Sequence, residues 1–199
     1  MDFCLPAGCY QFNFEVMEQI HIPAFSGSTL RGVLGWALMR LGGLTVTDVN
    51  NKNALYQHSV YAAVFDPCQH HSKQALKFHK SSLPVPYVLN VPWHKEGRYE
   101  EGDIFSFKMV LMSSALTYLP TIITAWRQVF LRGISANHTG KAKLLNIVHL
   151  DGAACRPIFS AEKPAIIQHQ AILQPPHFTH NSDVRLDFHT PLRIQSKGK

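Results

Sequence analysis

The stretch Phe25-Ser-Gly-Ser-Thr-Leu-Arg-Gly-Val-Leu-Gly-Trp-Ala-Leu-Met-Arg40, read with the fifteen residues before it, decides the fold. Upstream, Tyr10, Phe12, Phe14 and Val16 alternate with Gln11, Asn13 and Glu15. A period of two marks a half-buried strand, and Pro23 is read as its stop. Ser26 and Ser28 offer hydroxyls that can accept from the unpaired first-turn N–H groups of a helix. Leu30, Val33, Leu34, Ala37, Leu38 and Leu41 then recur at helical spacing on one apolar stripe, with Arg31 and Arg40 off it. The plain reading is a buried helix with solvated arginines. The sharper one is a helix N-terminus with Arg31 beside it, where a phosphate can sit.

Working outward, the chain continues in the same alternation of periods. Gly42-Gly43 ends the helix, and 47–53 reads as polar loop. Val60 to Phe65 is an apolar run, either strand or short helix, closed by Asp66-Pro67. Tyr87 to Val91, bracketed by Pro84, Pro86 and Pro92, reads as an edge strand, because proline cannot donate to a ladder. Residues 96–102 read as a charged turn. Phe105, Phe107, Met109 and Leu111 share one face of the clearest strand, 103–112. Leu119, Ile122, Ile123, Trp126, Val129 and Phe130 give a second amphipathic helix over 116–132, with Pro120 in its first turn and Gly133 at its end. A small, basic loop, Gly133-Ile-Ser-Ala-Asn-His-Thr-Gly-Lys-Ala-Lys143, leads into a strand over 144–150. Residues 153–182 lack a strong period and read as a connector with one short strand near 165–173. Val184, Leu186, Phe188, Leu192 and Ile194 mark a last strand. Strand, helix, strand, strand, strand, helix, strand predicts an α+β sandwich of the ferredoxin or RRM type. Two helices then cover one face of an antiparallel sheet.

Composition narrows the function classes. With 199 residues and 46% of them hydrophobic, the chain can bury a real core. No apolar run approaches a membrane span, and the start lacks the features of a signal peptide, so the expectation is a cytoplasmic protein. The net charge of +6 and twelve histidines suit a polyanionic partner. Cys4, Cys9, Cys68 and Cys155 contain no Cys-x-x-Cys pair, which argues against a cysteine zinc site. Cys68-Gln-His-His71 reads as a polar loop rather than a metal cluster.

Ile22-Pro-Ala-Phe-Ser-Gly-Ser-Thr-Leu-Arg-Gly-Val-Leu-Gly35 resembles a motif of the CRISPR-associated repeat-processing endoribonucleases of the RAMP superfamily, the "Cas-six" family. Further resemblances follow in order: Val85-Pro-Tyr-Val-Leu89, Tyr99 to Leu111 running into Tyr118-Leu-Pro-Thr-Ile-Ile123, Leu131-Arg-Gly-Ile134, the loop 133–143, and Thr190-Pro-Leu-Arg-Ile194. The resemblance implies a ferredoxin-like βαββαβ domain over 1–152, a connector over 153–182, and over 183–199 the first strand of a second such domain, truncated or completed by another chain. It implies binding of CRISPR repeat RNA and its cleavage by metal-independent attack of the ribose 2′-hydroxyl, with no cofactor. The alternative is a non-catalytic RNA-binding subunit beside other Cas effector subunits. Many such enzymes carry a histidine in the first helix where this chain has Trp36, which can stack on a base but cannot carry a proton. The proton carriers left to consider are His21 and His138. The RNA contacts expected are Arg31, Arg40, Arg132, Lys141, Lys143 and Trp36.

Overall fold

The computed structural model describes residues 4–23, 26–67, 84–91, 97–135, 137–152 and 154–173. Its strands are β1 (Leu5–Val16), β2 (Ile20–Ile22), β3 (Tyr87–Asn90), β4 (Gly97–Tyr99), β5 (Ile104–Met112), β6 (Ala142–Asp151), β7 (Ala154–Ser160) and β8 (Ile172–Leu173). Its α-helices are α1 (Gly27–Leu41), α2 (Val46–Asn51), α3 (Ala54–Gln57) and α4 (Leu119–Arg132). The main sheet runs β3-β5-β1-β6-β7, with every pairing antiparallel. With α1 between β1 and β3 and α4 between β5 and β6, the first four of these strands have the ferredoxin-like βαββαβ topology.

The alternation read in β1 sets the layers. Tyr10, Phe12, Phe14 and Val16 are all buried under the helices, and Phe105, Phe107, Met109 and Leu111 of β5 join them. The ring of Phe12 stacks on Phe107 at 5.3 Å, Phe14 meets Phe130 at 4.1 Å, and Trp126 lies 4.7 Å from Phe107. From α1, Leu30, Leu34 and Leu38 close the same core. The opposite sheet face is polar and half-open. There Ser106 Oγ donates to Asn13 Oδ1 at 2.7 Å, and Asn13 Nδ2 donates to Asn146 Oδ1 at 2.6 Å.

The β1–β6 ladder shifts register between Asn13 and Phe14: Asn13 faces Asn146, but Phe14 faces Leu144. Leu145 is therefore an extra residue, a β-bulge. The buried set on β6 changes phase there, from Ile147 and His149 on one side to Leu144 and Ala142 on the other.

Several elements differ from the reading of the sequence. The first strand ends at Val16 rather than at Pro23, because β2 follows as a separate strand paired with β4. That pairing also turns part of the charged 96–102 segment into a strand. The polar stretch 47–53 is largely helix: the Thr45 side chain caps α2, and the Asp48 carboxylate returns to the Thr45 N–H at 2.7 Å. This capping box holds Asp48 below its ordinary carboxyl value. The 60–65 run forms a π-helical turn over Tyr61–Phe65. Ser26 stands at the N-cap of α1 but makes no side-chain cap bond, and Ser28 lies inside the helix. Within the segment read as a connector, β7 pairs with β6, and the short strand expected near 165–173 is β8, on β1. The last expected strand (184–194) and the Cys68–His71 cluster lie outside the described residues.

Candidate nucleic-acid interface

Helices α1 and α4 pack side by side on the sheet, and the loop after α4 closes one end of the groove between them. The resulting cavity, about 230 Å³, is lined by Val33, Trp36, Ala37 and Arg40 of α1 and by Gln128, Val129 and Arg132 of α4. Gly133, Ile134, Ser135 and His138 complete it. The floor is apolar and the rim is cationic. Arg40 and Arg132 each lie in the last turn of their helix, where positive charge also suits the helix dipole.

The loop that presents His138 is tightly built. Ser135 Oγ and Thr139 Oγ1 share a hydrogen bond at 2.7 Å, and the His138 N–H donates to the Ser135 carbonyl at 3.0 Å. His138 takes a left-handed φ of 58°, uncommon for a residue with a Cβ. Gly133 opens the loop at φ 97°, and a Cβ there would meet the His138 backbone at 2.4 Å. Only glycine fits that close approach, so the pattern Gly133 to Gly140 is what places the imidazole at the groove.

Four of the eight residues singled out from the sequence thus meet at one place: Trp36, Arg40, Arg132 and His138. Trp36 is 60% exposed although it is the largest side chain on α1. The other four lie elsewhere. Arg31 sits over the Phe65 ring, 5.3 Å from its centroid. His21 is on β2, paired in register with Arg98, and does not line the cavity. Lys141 is held by Glu18 at 2.6 Å, and Lys143 stands opposite Glu15 on the β1–β6 ladder. Gln128, one helical turn before Arg132, went unremarked in the sequence; its i, i+4 spacing from Arg132 on α4 was the available signal.

A second cluster, at the far end of β1, was also not legible. Tyr10, His149 and His169 pack together, with Tyr10 Oη 3.0 Å from His169 Nε2 and the two imidazole centroids 4.8 Å apart. Burial, with Cys9 adding, pushes the Tyr10 phenol up to about 12. Burial first, then His169, pushes the His149 imidazole down.

Among the described residues no helix is long and apolar enough to cross a membrane. Nor do any three histidine, cysteine or acidic side chains there gather as a metal site. No curated protein matches the chain. Among solved structures, a chain of the Csm3–Csm4 subcomplex in the type III-A CRISPR–Cas interference complex is 18% identical, covering 78% of this chain and 82% of its own, with a TM-score of 0.45. The family model AF_1859_N, an N-terminal domain, matches residues 5–171, which include all of β1, α1, α4 and the groove between the helices, and the chain belongs to that family.

Proposed function

We propose that this protein binds CRISPR repeat RNA in the α1–α4 groove, as a RAMP-type RNA-binding protein working beside other Cas subunits. One observation carries the reading: Trp36, Arg40, Arg132 and His138, each chosen from the sequence for RNA chemistry, line a single cavity with no carboxylate in its wall among the described residues. Guanidinium groups bind phosphate bidentately, and an exposed indole offers a face to a base. CRISPR RNA as the ligand rests on the sequence resemblance around Ile22 to Gly35.

Cleavage is the second reading, and His138 favours it. In that reaction the ribose 2′-oxygen bonds to the adjacent phosphorus as the 5′-oxygen leaves, giving a 2′,3′-cyclic phosphate and a 5′-hydroxyl. It needs one group to take the 2′-proton and one to protonate the leaving oxygen. Among the described residues the groove supplies one imidazole, with Arg40 and Arg132 for the phosphorane charge, and His21 lies outside it. With one proton carrier among the described residues, the groove fits binding better than turnover.

Incubating the chain with labelled repeat RNA in EDTA separates the two. Shifted but uncut RNA is the expected result. A cyclic-phosphate product that disappears in His138→Ala would establish the nuclease instead. RNA left unshifted at moderate salt would remove both readings.

A further inference from the structure

Trp36 borders a second cavity, of about 270 Å³, lined by Gly32, Gly35, Trp36 and Met39 of α1, Val46 and Val49 of α2, and Tyr61 and Phe65 of the π-helical turn. At about 100° per residue on a helix, Val33, Ala37 and Arg40 lie to one side of Trp36, and Gly32, Gly35 and Met39 lie to the other. The exposed indole is therefore a ridge between two apolar hollows. Each hollow has its own cation: Arg40 and Arg132 on the first, and Arg31, over the Phe65 ring, beside the second.

Two features make the second hollow a place for a flat ring. Glycine at 32 leaves its side of the hollow open, and glycine at 35 lets the Phe65 ring pack directly on α1 as a wall. A Cβ on Gly35 would meet the Phe65 ring at 2.6 Å, while one on Gly32 would meet nothing within 4 Å. Its walls carry aromatic faces, Tyr61 and Phe65, whose centroids are 5.1 Å apart. The carboxylates of the surrounding elements are engaged: Asp48 by Thr45 and Asn53, and Asp66 by the Tyr56 hydroxyl. Arg31 and Arg40 lie about 180° apart around α1, so a strand that meets both crosses the Trp36 ridge, from Arg31 beside the second hollow to Arg40 and Arg132 on the first.

We infer that the two hollows take two neighbouring unpaired bases of a single-stranded RNA, one on each side of Trp36, with flanking phosphates at Arg31 and at Arg40 and Arg132. This rests on the reading of the α1–α4 groove as an RNA site and adds to it the strandedness of the ligand and a second subsite. Bases paired in a duplex cannot enter either hollow, so Trp36 acts as a selector for unpaired RNA.

The test uses a fluorescein-labelled single-stranded repeat RNA and the same RNA annealed to its complement, each titrated with the whole chain. Trp36→Ala removes the ridge, and Trp36→Phe keeps an aromatic face. Gly32→Met grows into the open space of the second hollow, and an unchanged melting temperature confirms that it folds. Stacking on one aromatic side chain carries about tenfold in affinity. The expected pattern is about tenfold weaker single-strand binding for Trp36→Ala and about fivefold for Gly32→Met, with most of the affinity kept in Trp36→Phe. The single strand should outcompete the duplex by about tenfold. A wild-type chain that binds neither RNA would defeat the groove as an RNA site. Binding lost in Arg40→Ala but unchanged in both Trp36→Ala and Gly32→Met would leave RNA binding standing, overturn the two-base arrangement and assign the hollows to a protein contact. Loss in Trp36→Ala alone, or equal binding of duplex, would overturn it as well.

Discussion

At the scale of single residues, Arg132 and His149 each carry a prediction. Arg132 stands on the groove rim as a phosphate contact, so Arg132→Ala should weaken RNA binding by about five- to tenfold at moderate salt. Fluorescence anisotropy checks this, and an unchanged affinity would remove Arg132 from the interface. His149 concerns stability. It is 3% exposed, and its Nδ1 has no hydrogen-bond partner among the described residues. Burial, His169 and Arg156 lower its affinity for a proton, with Asp151 opposing them. In the unfolded chain its value returns to about 6.5. Between the folded value and 6.5 the unfolded chain holds the extra proton, so stability is full above 6.5 and is lost as the pH falls through that window. Each pH unit separating the two values costs about 1.4 kcal/mol. Urea denaturation at pH 7.5 and 5.0 should show a loss that is reduced in His149→Phe.

At the scale of elements, the glycine loop is the most exposed to a single change. Gly133→Ala would place a Cβ 2.4 Å from the His138 backbone at a φ of 97°. Positions of this kind cost about 1–3 kcal/mol in strain alone, and the backbone contact adds to it. The expected outcome is a lower melting temperature together with weaker RNA binding, because the loop that closes the groove must move. In the core, Trp126→Ala should cost about 3–5 kcal/mol, read by chemical denaturation, since the ring is fully buried against Phe12, Phe107 and Phe130. The helices α1 and α4 and the strands β1, β3, β5 and β6 were all legible in the sequence. The period of α4 and the alternation of β1 and β5 are written in large apolar residues, which one face of the sheet requires. The stretch at 47–53 was misread because its helix depends on a capping box rather than an apolar stripe, and α2 buries no residue fully. β7 was missed for a related reason: Ala154 to Pro157 are exposed, so no alternation records the pairing with β6.

At the scale of the molecule, the net charge of +6 predicts that RNA binding is salt-dependent. With three arginines at phosphates, the logarithm of the affinity should fall against the logarithm of salt with a slope of about −2, and Arg40→Ala should reduce that slope by about 0.7. The site itself was half legible. Residue types suited to RNA can be picked from a sequence, but which of them meet depends on the α1–α4 packing and on the loop that turns His138 back. Lys141 and Lys143 have the right charge and are engaged or faced by Glu18 and Glu15 instead, which only the strand register shows. The bulge at Leu145 has its own bearing on how this chain tolerates change in length. Removing Leu145 would join Leu144 directly to Asn146 and leave Ala142, Leu144, Ile147 and His149 in regular alternation. The sheet would forfeit the bond from the Ala161 N–H to the Leu145 carbonyl. Removing Val148 instead would turn Ala142, Leu144 and Ile147 toward solvent. One site in β6 is therefore open to losing a residue, and its neighbours three positions on are closed to it.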